Sequence, residues 1–150
     1  MTSTLWPRRP LPVVDGDIAA WDLTSLGQLP GVRVELREVL LDHADHPDGP
    51  APVDALLLAF DELVSNGLRH GTGPVRARLV INSTGWLLDV SDQAAGRPPA
   101  PAVDRDPARG GLGLHLIARL TTAHGWTVSA GRKHVWAHLD RTGSLLPACG

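Results

Sequence analysis

The chain has 150 residues, 43% of them hydrophobic and 20% charged, the profile of one globular domain with a sizeable core. A formal net charge of −2 with no Lys/Arg cluster argues against direct nucleic-acid binding, which needs a basic stripe. No apolar stretch approaches the ~20 residues of a membrane span, and the opening lacks the apolar core of a signal peptide, so a cytoplasmic location is expected.

Residues 1–16 hold several prolines and no period, which predicts a loose leader. DIAAWDL (17–23) reads as a short strand. From Pro30, Val32, Leu36, Val39 and Leu40 form one stripe, which predicts an amphipathic helix ending near Ala44. HPDGPAP then breaks the chain. A second helix over about 52–69 carries Val53, Leu56, Leu57, Phe60, Leu63, Val64 and Leu68 at helical spacing, with Gly71 and Gly73 placed to end it. PVRARLVIN alternates as a strand, with Val75, Ala77, Leu79 and Ile81 on one face. Gly85 falls in a turn, and WLLDVSD is its antiparallel partner. Residues 93–111 are rich in Pro, Gly and Ala, and a connection of that length is commonly a functional lid. LGLHLIARLTTAHG reads as a third helix capped by Gly125, followed by a closing hairpin of WTVSA, GRK and HVWAHLD. The expected domain is 17–140, with 141–150 as a tail. This order predicts an α+β fold, a two-layer α/β sandwich whose mixed, mostly antiparallel sheet carries about three helices on one face.

Three groups of residues carry potential chemistry. In DELVSNGLRHG (61–71), Glu62 and Asn66 lie one turn apart on a single helical face. A carboxylate beside a neutral amide oxygen offers a general base and a hard-cation ligand, and it equally describes a solvated polar face near a helix end. His70 and Arg69 follow in the last turn, where such groups also suit the helix dipole. Asp92 leaves a strand for a loop, positioned either to accept from an exocyclic amine or to make an ordinary turn. GGLGL (110–114) opens a helix, so its amides could hold an anion, or its glycines could hinge the lid. No GK[ST] follows it and no dinucleotide-binding unit surrounds it. His43 and His46 among nearby aspartates are explained by a charged helix end, because no further ligand cluster has metal-like spacing. The single cysteine, Cys149, can form no internal disulfide.

Taken in order, an E-x-x-x-N helix, a hairpin ending in Asp, a lid and a G-x-G at a helix start resemble the Bergerat ATP-binding fold of gyrase B, heat-shock chaperones, histidine kinases and MutL. DELVSNGLRHG, GGLGLHLIARL and the late GRKHVW are most similar to the stand-alone anti-sigma serine kinases of Gram-positive bacteria, over about residues 17–140. The resemblance implies ATP and Mg²⁺ as cofactors, with Asn66 as metal ligand and Glu62 as the base receiving a substrate serine's proton. It implies that Asp92 binds the adenine amino group. Gly96, Gly111, Leu112, Gly113 and Leu114 would line the nucleotide's path, with the Gly111 and Gly113 amides on phosphate, and His70 would stand beside the site. The implied partners are a sigma factor and an anti-sigma antagonist, and the implied assembly is a homodimer. Lys133 matches a recurrent lysine of that family, to which the sequence alone assigns no role. One departure from the family is visible: the D-x-G-x-G box reads DQAAG, with Ala94 at the first glycine. A catalytically weak module that only sequesters a partner is therefore the competing expectation. A split histidine kinase is disfavoured, since none of the seven histidines sits in a recognisable acceptor helix.

Overall fold

A computed structural model describes residues 6–42, 53–82, 85–96 and 117–140. Five strands form one sheet: β1 (Asp17–Leu23), β2 (Val75–Ile81), β3 (Gly85–Asp92), β4 (Ala123–Ser129) and β5 (Arg132–Asp140). Their spatial order is β1-β2-β3-β5-β4, and every pairing of these strands is antiparallel. Two helices, α1 (Leu29–Asp42) and α2 (Val53–His70), precede β2, and residues 117–120 are helical as well. The fold is the expected α+β sandwich with a mostly antiparallel sheet: the five strands pair antiparallel throughout, and one parallel bridge joins Arg8 to Trp126 at the β4 edge.

The alternation of β2 does what its period demands. Val75, Ala77, Leu79 and Ile81 are all buried in the main core, on the face that meets the helices. From β3, Trp86, Leu88 and Val90 join them, and from β5, Val135, Ala137 and Leu139. The helices answer with Leu36 and Leu40 of α1, and with Leu56, Leu57, Ala59, Phe60, Leu63 and Val64 of α2. Ile117, fully buried, enters the same cluster, so the third helical segment packs on that face too. The helix ends are set locally. Gln28 Oε1 accepts from the Thr24 and Ser25 amides at 2.6 and 3.1 Å, closing a turn before α1. Asp54 in the first turn of α2 and Arg69 and His70 in its last complement the helix dipole. Gly71 donates to the Gly67 carbonyl at 2.8 Å, and Gly73 turns the chain at a φ of 73°. The β4–β5 turn places Ala130 and Gly131 at φ 52° and 77°, the positive pair that a tight two-residue hairpin prefers.

Two expectations change. Helix does not continue to Gly125: residues 117–120 are helical, and β4 starts at Ala123. The Thr121 hydroxyl returns to the Ala118 carbonyl, and the Thr122 amide bonds His138 across the sheet at 2.9 Å, so the backbone leaves the helix for the ladder there. Gly125 therefore lies mid-strand. The second change concerns the stretch read as a loose leader, within which residues 6–9 are docked. The Trp126 amide donates to the Pro7 carbonyl at 3.1 Å, the Arg9 amide to the Trp126 carbonyl at 3.0 Å, and Trp136 Nε1 to the Arg9 carbonyl at 3.2 Å. Trp6 is buried and meets His124 edge-on at 4.7 Å, while Arg8 stacks over Trp126 at 5.0 Å. Farther along, Leu11 and Val14 cover Val80, Leu87 and Trp136 on the sheet face opposite the helices. The strap thus blunts the β4 edge, which would otherwise present unpaired backbone. It also explains Gly125, where a Cβ would lie 2.9 Å from Arg9 Cβ and 3.1 Å from the Pro7 carbonyl oxygen. Aperiodic, proline-rich sequence gives no sign of such docking, because it rests on a few backbone bonds and three tryptophans.

Candidate functional site

The site grows from the C-terminal half of α2 and the end of β3. Along α2, the residues facing the sheet are Phe60, Leu63, Val64 and Gly67, all buried. Asp61 turns towards α1, where its Oδ1 meets Arg33 Nε at 3.0 Å. Glu62, Asn66 and His70 follow at a spacing of four, each half-buried, on the flank about 100° or more around the helix from Asp61. The i, i+4 pairing read from the sequence is therefore real, and it belongs neither to the sheet-facing stripe nor to fully solvated surface. Burial raises the Glu62 carboxyl above its ordinary range, partly opposed by the Arg69 charge, while Asp61 adds a small push in the same upward direction. A carboxylate made more basic in this way is suited to taking up a proton. Asp61 is raised too, by burial first, with the Arg33 cation opposing.

Asp92, 2% exposed, stands at the last position of β3, on the same sheet face as Trp86, Leu88 and Val90. Its Oδ1 accepts the Ala94 amide at 2.6 Å, an Asx-type turn that bends the chain out of the strand. The turn reading of Asp92 holds for this oxygen, while the other, Oδ2, lies 3.7 Å from the Lys133 Nζ. That second oxygen points at α2. A Cβ on Gly67 would lie 3.7 Å from Oδ2, and one on Gly71 would lie 2.6 Å from both Oδ2 and Cγ. Gly71, directly after the Asn66–His70 turn, is the seat that lets the helix backbone approach a buried carboxylate, while Gly67 within that turn makes room chiefly for Val75, whose Cγ2 would lie 3.1 Å from an added Cβ. A hydrogen bond from the Gln93 amide to the Thr72 carbonyl at 2.8 Å holds the two segments together. Behind the sheet, Arg132 binds the Ser91 hydroxyl and carbonyl at 3.1 and 3.0 Å and the Pro74 carbonyl at 3.1 Å, locking β2, β3 and β5 at this end.

Lys133 is the residue whose part the sequence left open. It pairs in register with Asp92 across β3 and β5, its Nζ lies 3.7 Å from Asp92 Oδ2, and both side chains are 3% exposed. One signal was available in advance: it is the sole lysine in a chain of otherwise arginine cations. Gly67 was also missed, since a glycine inside a helix looks like a tolerated defect until its neighbour is known.

The structure brings Asp92 to the same turn of α2 that carries Asn66 and His70, with Glu62 one turn earlier. Gly96 lies beyond the Asx turn, with no described residue within 4 Å of where a Cβ would stand. Gly111, Leu112, Gly113 and Leu114 lie outside the described residues. Ala94, the residue replacing a box glycine, is buried and is not left-handed, Ala130 being the one non-glycine with positive φ among the described residues. The backbone here needs no glycine, and its amide still serves Asp92. No helix among the described residues is long and apolar enough to cross a membrane, and no group of three or more His, Cys, Asp or Glu among them could hold a metal ion by itself.

The donor set fits a magnesium nucleotide on its chemistry: an amide oxygen beside a carboxylate for a hard cation shared with phosphates, and a buried acceptor in a glycine cradle for an amine. Comparison with known proteins gives the family. No curated protein matches the chain. Seventeen chains of solved structures do. One is the Acinetobacter baumannii histidine kinase AdeS, similar at 14% identity and a TM-score of 0.45 over 85% of this chain and 69% of that one. The family model described as the histidine kinase-like ATPase domain matches residues 24–139, which takes in α1, α2, β2 to β4, β5 up to Leu139 and each described site residue. The chain belongs to the histidine kinase-like ATPase domain family.

Proposed function

We propose that the protein is an ATP-dependent serine/threonine protein kinase that acts on an anti-sigma antagonist and also sequesters a sigma factor. Family membership supports ATP binding and phosphotransfer in general. The finer reading is supported by the resemblance of DELVSNGLRHG, GGLGLHLIARL and GRKHVW to the stand-alone anti-sigma kinases. The observation that carries it is the seating of Asp92 against Gly67 and Gly71, on the helix that bears Glu62 and Asn66.

In this reading Asp92 accepts the adenine amino group with Oδ2, the oxygen outside its turn, beside the Lys133 ammonium. Asn66 holds Mg²⁺, which when bound neutralises charge on the phosphates. Glu62, made more basic by burial, takes the proton from the substrate hydroxyl. That oxygen bonds to the γ-phosphorus as the bond to the β–γ bridging oxygen breaks, and ADP leaves. Positioning and charge neutralisation dominate such a transfer, so a short set of residues suffices. A nucleotide titration with and without Mg²⁺, followed by transfer of labelled phosphate to a serine-bearing antagonist, tests it. Binding and transfer that both vanish in Asn66→Ala are expected. Transfer unaffected by Glu62→Gln would overturn the role of the base.

One observation favours a second reading, a partner-sequestering module without catalysis. Lys133 already pairs with Asp92 from within the chain, so that carboxylate has a partner without a nucleotide. Sigma-factor capture that is indifferent to ATP, with no transfer, is the outcome that selects it.

A further inference from the structure

The seat of Asp92 lies where three strands end. β2 begins at Val75, β3 stops at Asp92 and β5 begins at Arg132, so the ladder thins out where the site needs a fixed carboxylate. Strand ends are the parts of a sheet that open most readily. Pro74 sharpens the problem, because it has no N–H to add a rung before Val75. Arg132 makes good the loss from the sheet face opposite the helices. Its Nε donates to the Ser91 hydroxyl at 3.1 Å, and its Nη2 donates to the Ser91 and Pro74 carbonyls at 3.0 and 3.1 Å.

The choice of carbonyls is telling. Each belongs to the peptide bond leading into a residue that lies against α2: Pro74 into Val75, and Ser91 into Asp92. Val75 Cγ2 would stand 3.1 Å from a Cβ on Gly67, and Cγ and Oδ2 of Asp92 would stand 2.6 Å from one on Gly71. One nitrogen therefore fixes both peptide planes on which the end of the helix rests. Arg132 and Lys133, adjacent in β5, divide the work between the two faces: Lys133 pairs with the carboxylate, and Arg132 holds the backbone that carries it. We propose that Arg132 is a positioning residue for nucleotide recognition: by clamping the Pro74 and Ser91 carbonyls it sets the height of the Asp92 carboxylate beneath α2, and so its reach to the 6-amino group of adenine. The inference rests on the reading of Asp92 as the base-recognising residue, and Arg132 acts from the opposite face of the sheet, away from the nucleotide. A planar guanidinium suits the task, since the two N–H groups of one nitrogen diverge towards two acceptors in a fixed geometry that a rotating ammonium does not hold.

The test pairs one change in the protein with one in the ligand. Purine riboside 5′-triphosphate lacks the 6-amino group of ATP but keeps its ring, sugar and phosphates. The affinities of both for the full chain and its variants are measured by calorimetry with Mg²⁺ present. Wild type is expected to favour ATP about tenfold or more, the lower end for a hydrogen bond to a charged group. In Arg132→Gln, ATP is expected to weaken by about as much, while the riboside triphosphate changes by less than about twofold, so that the ratio approaches one. Arg132→Lys, which keeps the charge but not the divided grip, carries the same comparison should the Gln variant not fold, and its ratio is expected to fall as well. A merely structural arginine would weaken both nucleotides alike. An equal loss for both, or a wild-type ratio in a folded variant, overturns the inference. The underlying reading fails differently: a ratio of one in wild type shows that Asp92 does not read the amino group at all.

Discussion

Gly71 is the position at which fold and site are most tightly joined, and Gly71→Ala tests the joint. Gly71 does not have a left-handed backbone, so the requirement is one of space and not of conformation. A methyl there would lie 2.5 Å from the Gly67 carbonyl oxygen and 2.6 Å from both Cγ and Oδ2 of Asp92. Comfortable non-bonded separation is about 3.5 Å or more, which leaves a shortfall of roughly 1 Å on two sides. Neither side yields easily. One is helix backbone, and the other is a carboxylate held by the Ala94 amide and by Lys133. Relieving such an overlap costs about 1–3 kcal/mol, the range for overpacking a close-packed site. It would also push Asp92 away from the seat in which it is proposed to meet the nucleotide. Urea unfolding followed by circular dichroism measures the first effect, and a nucleotide titration measures the second. Gly31→Ala, on the exposed face of α1, is the control, because no described residue lies within 4 Å of the added carbon, and it should be no less stable than wild type. Stability and nucleotide affinity for Gly71→Ala equal to those of Gly31→Ala and wild type would refute the seat.

Glu62→Gln should separate stability from activity. Because burial raises the folded-state pKa of Glu62 above that of the unfolded chain, the native state holds the extra proton. The associated stability is present below the ordinary value near 4.5 and is lost as pH rises through the folded pKa. Chemical unfolding should therefore find the Gln variant at least as stable as wild type at pH 7, with the gap closing towards pH 4, while phosphate transfer disappears. Asp92→Ala should weaken ATP binding ten- to a hundredfold, as loss of a charge-assisted bond of ~1.5–3 kcal/mol implies, and it should destabilise the fold as well by leaving Lys133 buried without its carboxylate. Gly125→Val should drive residues 7–9 off β4, since an added Cβ already comes within 2.9 Å of Arg9, and a red shift of tryptophan emission with faster cleavage near Pro7 would report it. Ala130→Asn should stabilise the β4–β5 turn by about 1 kcal/mol, because a left-handed residue with a Cβ is costly and Asn tolerates that region better; a thermal melt rising by ~2–4 °C is the expected readout.

What could be read in advance follows the rule that local interactions leave periodic traces. The alternation of 75–81 and the stripe on α2 predict both elements and the faces they bury, because one side of each must meet a core. The Glu62–Asn66 pairing was legible for the same reason: four residues along a helix is a fixed spatial step. Gly125 misled, because a glycine after a helical pattern looks like a cap, whereas here its lack of a side chain makes room for residues more than a hundred positions away. Ala94 looked like damage to a glycine box, and only the sign of its backbone angle shows that no glycine is required there.

The amino-acid order by itself determined the elements, their sequence along the chain and the chemical types assembled for a nucleotide, since these depend on periods and motifs contained within short windows. Tertiary structure alone decided that Asp92 rests on Gly67 and Gly71, that Lys133 stands opposite it, and that residues 6–9 strap the far edge of the sheet. Each of those is a contact between segments distant in the chain, set by strand register and close approach of backbones, and no local pattern encodes such distances.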